Sequence, residues 1–136
     1  MKRLIFAFSI FLHFGVGSNL TAQKVTLSPV EFDEALKEVK ELRQPYVLLD
    51  VRTPSEFKSG HLEGAQLLNW QAEDFKEKFK ALNISKSTPI FVYCYMGGRS
   101  AEASEWIKSL GYAQVTDMKG GMYQWLKQGL PVAKNK

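Results

Sequence analysis

Apolar residues along this chain recur at two spacings that take turns. Short β-favouring runs stand at residues 24–27, 46–51, 65–68, 90–93 and 114–118, and each reads as a strand. Between them the apolar positions fall three or four apart, the spacing of one helical face. Phe32, Ala35, Leu36 and Val39 form one such stripe, Phe75, Phe79 and Leu82 a second, and Ala103, Trp106, Ile107 and Leu110 a third. Trp106 and Trp125 fall on such faces and read as core. Ser28-Pro29-Val30-Glu31 and Thr53-Pro54-Ser55-Glu56 are both capping boxes with proline at the first helical position. The second opens a short helix that ends near Gly60. A closing helix over 122–128 stops at Gly129 and Pro131. Strands alternating with helices predict an α/β domain: about five strands in a mainly parallel sheet, with helices on both faces.

The amino terminus follows another pattern. Met1-Lys2-Arg3 precedes residues 4–16, which are apolar apart from Ser9, His13 and Gly15. A basic start, a hydrophobic run too short to span a bilayer comfortably, and a small residue at Ala22 read as a secretory signal peptide. The expected division is a signal peptide, 1–22, and a single domain, 23–136. That domain would be periplasmic or secreted and would meet membrane only through the signal segment. An uncleaved anchor is the competing reading. The net charge of +4 falls to +2 without Lys2 and Arg3. That is too little to argue for nucleic acid, and no basic run carries interleaved aromatics. A single cysteine allows no internal disulfide, and with one histidine beyond residue 22 it cannot build a zinc site.

The candidate chemistry gathers around that cysteine. The strand over 90–93 runs into Cys94-Tyr95-Met96-Gly97-Gly98-Arg99-Ser100, so Cys94 stands at its carboxyl end and Ser100 opens the next helix. Ligands collect at that end of the strands in open α/β sheets. Gly97 and Gly98 let successive N–H groups curl into an anion-binding nest; the helix adds partial positive charge, and Arg99 adds a full one. Such surroundings favour an exposed thiol, more acidic than a free one, and the thiolate is the nucleophile. Tyr95 and Met96 border the mouth. The plainer reading is a cysteine that is only a small buried hydrophobe.

This loop resembles the active-site loop of the rhodanese family of sulfurtransferases, in which a cysteine begins a six-residue loop closed by an arginine. The resemblance extends through Leu49-Asp50-Val51-Arg52, Gly60-His61-Leu62-Glu63-Gly64-Ala65, and Lys119-Gly120-Gly121 followed by Trp125 and Gly129-Leu130-Pro131-Val132. It runs from about residue 27 to residue 132 and resembles small periplasmic rhodaneses. It implies a rhodanese-like fold and a sulfurtransferase. Sulfane sulfur would pass from thiosulfate or a persulfide, through a Cys94 persulfide, to a thiol or cyanide.

In that scheme Cys94 and Arg99 are catalytic, and the loop from Tyr95 through Met96, Gly97 and Gly98 to Ser100 holds the persulfide. Asp50 supports the loop, and His61 sits in a structural turn. Arg52 either adds positive potential toward the donor anion or forms a structural ion pair. Lys119, on the same rim, either collects an anion or is plainly solvated. No metal or organic cofactor is implied. The implied partners are a small anionic sulfur donor, a thiol or cyanide acceptor and, in one reading, a protein thiol. The low polarity of Tyr95 and Met96 weighs against thiosulfate as the physiological donor. Two other functions stand beside this one. A cysteine-based phosphatase or arsenate reductase would use a similar loop one residue longer, whereas four residues separate Cys94 from Arg99 here. A non-catalytic rhodanese-like module would use the fold only to bind protein.

Overall fold

The computed structural model describes residues 23–134, so the signal segment expected over 1–22 lies outside the described residues. Five strands, β1 (Gln23–Leu27), β2 (Val47–Asp50), β3 (Gln66–Leu67), β4 (Ile90–Tyr93) and β5 (Gln114–Met118), form one sheet in the order β1-β5-β4-β2-β3. Every ladder between them is parallel. Five helices alternate with the strands: α1 (Pro29–Glu41), α2 (Pro54–Ser59), α3 (Phe75–Ala81), α4 (Gly98–Ser109) and α5 (Gly121–Lys127).

The pleat sends alternate strand residues to opposite faces, which creates two cores. Leu49, Val51, Ile90, Val92, Cys94 and Val115 enter one, with Phe75 and Phe79 of α3 and Ala103 and Ile107 of α4. Leu48, Phe91, Tyr93 and Met118 enter the other, with Phe32, Leu36 and Val39 of α1 and Met122 and Trp125 of α5. β4 is buried at all four positions, as a parallel strand covered on both faces must be. Phe32 meets Phe91 edge-on at 5.4 Å, and Phe79 meets Trp106 the same way at 5.4 Å. Trp125 is core, as expected, while Trp106 is only partly buried. Leu82 departs from its stripe and is exposed, because α3 ends at Ala81 and Leu82 is its C-cap.

Local chemistry sets where the helices begin. Thr53 forms the full reciprocal capping box with Glu56, while at α1 the Ser28 side chain accepts from the Glu31 N–H. α4 starts two residues ahead of the expected Ser100. Gly97 caps it in the left-handed region, at φ 102°, where a side chain would be strained. The first turn of α4 therefore grows directly out of the loop.

Topology then fixes the switch point. β2 connects outward to β3 on one side of the sheet, and β4 connects to β5 on the other. Their carboxyl ends lie side by side, since β2 pairs with β4 and Asp50 sits opposite Tyr93. Connections diverge at that point, and segments 50–52 and 94–97 flank this switch point, the place in the topology where open α/β sheets bind ligands.

Candidate active site

Cys94 follows the last residue of β4, and its sulfur accepts a hydrogen bond from the Gly97 N–H at 3.1 Å. Two more hydrogen bonds decide how the loop peptides face. The Met122 N–H donates to the Cys94 carbonyl at 2.8 Å, and the Tyr123 N–H donates to the Tyr95 carbonyl at 2.9 Å. A trans peptide places its N–H opposite its C=O. With both carbonyls committed to the first turn of α5, the N–H groups of Tyr95 and Met96 point away from that helix. This seating requires glycine at position 121. A Cβ there would lie 2.5 Å from the Cys94 and Tyr95 carbonyl oxygens, and the backbone stands at φ +60°. Ser100, fully buried, donates its hydroxyl hydrogen to the Gly97 carbonyl at 3.2 Å and so braces the bend from inside the helix.

The thiol itself differs from the expected exposed group: Cys94 is 1% exposed. The cause is strand alternation. Cys94 continues the series Ile90, Val92 and points into the core shared with α3 and α4, beneath its own loop.

Arg99 also stands differently from expectation. Its two terminal nitrogens donate to the two carboxylate oxygens of Glu56, at 2.8 and 3.0 Å, in a fork-to-fork pair. The Glu56 Oε1 is held in turn by the N–H and hydroxyl of Thr53, at 3.3 and 3.1 Å. Hydrogen bonding to Arg99 is the main reason that the Glu56 carboxyl is lowered to about 2, burial working against it. Glu56 in turn raises the Arg99 pKa, against burial. The charge expected to face a donor anion is thus matched by a fixed carboxylate. Sequence reasoning registered Glu56 only as the third residue of a capping box, which carries no sign of a partner so distant along the chain.

A second buried network braces the switch point. Asp50 receives hydrogen bonds from Arg52 Nε and Nη2, the latter at 2.7 Å, and Nη2 also donates to the Gly60 carbonyl at 2.7 Å. The Tyr93 hydroxyl donates to Asp50 at 2.7 Å and accepts from the Leu62 N–H at 3.0 Å. Burial and the Asp50 charge push the Tyr93 phenol well above its ordinary range, so it stays protonated. For Arg52, burial opposes the charged form, and the Asp50 carboxylate more than offsets it. At 2% exposure, with Nε and Nη2 committed to Asp50 and Gly60, Arg52 is a brace rather than a donor-facing cation. Tyr93 was legible as a strand residue, but nothing in the sequence marked its hydroxyl.

His61 holds a structural position. Its ring stacks on Phe57 at 3.8 Å, and its backbone exchanges hydrogen bonds with Ala133. Tyr95 and Met96 are 39% and 65% exposed beside the loop, and Tyr95 meets Tyr123 of α5 edge-on at 6.1 Å. Gly98 is exposed, with open space around its Cα. Lys119 is exposed in the turn after β5, where its N–H donates to the Leu27 carbonyl.

Two outcomes are expected from this geometry. Gly121→Ala should destabilise the fold by about 2–3 kcal/mol, since backbone strain and a clash with two fixed carbonyls combine. Gly129→Ala has a similar φ of +69° but open space around it. It should cost only about 1–2 kcal/mol. Urea denaturation of both variants checks the difference, and equal losses would remove the carbonyl clash from the account. The lowered Glu56 carboxyl gives a second outcome. A depressed folded-state pKa contributes stability above the unfolded-state value of roughly 4.3, and that contribution is lost as pH falls toward 2. The stability gap between the native chain and Glu56→Gln should be constant from pH 5 to 8 and close below pH 4; a gap unchanged at pH 3 would contradict the pairing.

Comparison with known proteins gives these features a family. The Rhodanese-like domain family matches residues 28–128. The chain is 36% identical over 86 residues to the thiosulfate sulfurtransferase GlpE of Tolumonas auensis, covering 62% of this chain and 76% of that protein. It is 27% identical over 124 residues, 90% of each chain, to the uncharacterized protein YqhL of Bacillus subtilis. Its fold matches the solution structure of the polysulfide-sulfur transferase homodimer of Wolinella succinogenes with a TM-score of 0.67 at 25% identity, covering 86% of this chain and 83% of that one. With its five-stranded parallel sheet and its cysteine loop at the switch point, the chain belongs to the rhodanese-like domain family, which includes sulfurtransferases among the relatives it matches.

Proposed function

We propose that this protein is an exported sulfurtransferase that carries sulfane sulfur as a Cys94 persulfide. The observation that carries the reading is the Gly97 N–H aimed at the Cys94 sulfur, beside two loop peptides whose carbonyls are turned out onto α5. The Cys94 thiolate attacks the outer sulfur of thiosulfate or of a persulfide, and sulfite or a thiolate leaves. The loop N–H groups from Tyr95 to Ser100 then stabilise the charge on the outer sulfur of the Cys94 persulfide. A thiol or cyanide attacks that outer sulfur and regenerates the Cys94 thiolate, so the kinetics are ping-pong. Arg99 steadies the negative charge that moves between the two sulfurs. No organic cofactor or metal enters the scheme. Four residues between Cys94 and Arg99 make a small ring, which suits sulfur better than a phosphoryl group.

The 1% exposure of Cys94 favours a second reading, a non-catalytic module whose cysteine is only core. The persulfide scheme requires the donor to reach Sγ beneath the loop in the loading step; once loaded, the outer sulfur stands about 2 Å beyond Sγ. Intact-mass spectrometry after treatment with thiosulfate or polysulfide separates the two. A gain of about 32 Da, one sulfur on an activated thiolate, is expected; it should be removed by cyanide and absent in Cys94→Ser. An unchanged mass with both donors would leave the binding module standing. Export rests on the basic start and apolar run of residues 1–16. The mature protein is expected to begin at Gln23 when its terminus is sequenced from the cell that makes it; a terminus at Met1 would replace the signal peptide with an anchor.

A further inference from the structure

Charge at the mouth of the loop is arranged in an unexpected way. Both terminal nitrogens of Arg99 are bound to Glu56, and Glu56 is tied to the start of α2 through Thr53. The pair is not a loose surface contact: its two side chains are only 24% and 29% exposed. Arg52, the other nearby cation, is committed to Asp50. The exposed loop side chains, Tyr95 and Met96, carry no charge; beside them the Lys127 ammonium stands 5.5 Å from the ring of Tyr123. Lys119 is exposed in the turn after β5, and Lys127 is exposed at the end of α5. A doubly charged anion entering this mouth meets a fixed carboxylate together with the guanidinium and gains little net attraction.

From this arrangement we infer that Glu56 is a specificity-determining residue: by occupying Arg99 it tunes the site toward organic persulfides that carry at most one negative charge, and against dianionic thiosulfate. The inference rests on the persulfide reading above and names its donor class. For a donor R–S–SH, the Cys94 thiolate forms a bond to the outer, hydrogen-bearing sulfur. The donor's own S–S bond breaks, its electron pair goes to the inner sulfur, and R–S⁻ leaves and takes a proton from water. Cys94–S–SH keeps the hydrogen, so no oxidant or reductant is needed. The uncharged side chains of Tyr95 and Met96 face an uncharged R group.

The test measures sulfur loading of Cys94 in the full-length mature protein by intact mass, using thiosulfate and the hydropersulfide of 2-mercaptoethanol as the two donors. Glu56→Gln is the informative variant, because glutamine keeps the capping box while removing the charge. The ratio of loading constants should shift at least about fivefold toward thiosulfate, through KM rather than the maximal rate, and the shift should shrink at high salt. A parallel fall with both donors, leaving the ratio unchanged, would make Glu56 only a support for Arg99 and overturn the inference. Should Glu56→Gln not fold, the native chain still decides. Its thiosulfate loading should be nearly independent of ionic strength, whereas a steep fall with salt would show an unmasked positive mouth. Failure of the underlying reading looks different: neither donor would add sulfur to native Cys94.

Discussion

Everything at the candidate site depends on two hydrogen bonds between parts of the chain that are far apart in sequence. The amides of Met122 and Tyr123 hold the carbonyls of Cys94 and Tyr95, and so fix the plane of each loop peptide. A peptide flipped by half a turn would aim its oxygen where its N–H now points, and a cup for a negatively charged sulfur would become a repelling one. The arrangement needs close contact between the loop and α5, and only glycine at 121 permits that approach. The helix that closes the domain is therefore part of the site, although it contributes no reactive side chain.

Around this cup the charged groups are mutually satisfied. Asp50, Arg52 and Tyr93 form a buried network that ties β2 to β4 and reaches the backbone at Gly60 and Leu62. Such a network is costly when incomplete and rigid when complete. Arg99 and Glu56 do the same nearer the surface and tie the loop to α2. The backbone thus supplies the directed positive ends, while Arg52 and Arg99 also hold elements together. A site built this way stabilises charge on an atom seated inside it more than it attracts anions from a distance.

Sequence periodicity gave the architecture because burial dictates it. All five strands and the parallel alternation followed from spacing, and the switch point followed from strand order and the position of Cys94. What escaped was the pairing of side chains between elements. Glu56 was visible as a cap, yet its second partner depends on where α4 packs. Arg99 was visible as a cation, but not the carboxylate that faces it, whereas a structural ion pair was one of the two readings of Arg52. The start of α4 was misplaced because Gly97, in a left-handed conformation, caps a helix that a serine would ordinarily open. The burial of Cys94 follows from one further step of strand alternation beyond β4, which the glycine-rich loop concealed. The segment over 1–22 was read from composition alone and lies outside the described residues.

The central claim is that the loop amides form a seat for the outer sulfur of a Cys94 persulfide. The most direct measurement is a high-resolution crystal structure of the protein after loading with sulfur. One additional atom should appear beyond the Cys94 Sγ, enclosed by the loop and within hydrogen-bonding reach of several N–H groups between Tyr95 and Ser100. A sulfur projecting into solvent, or loop carbonyls facing it in place of the amides, would contradict the account.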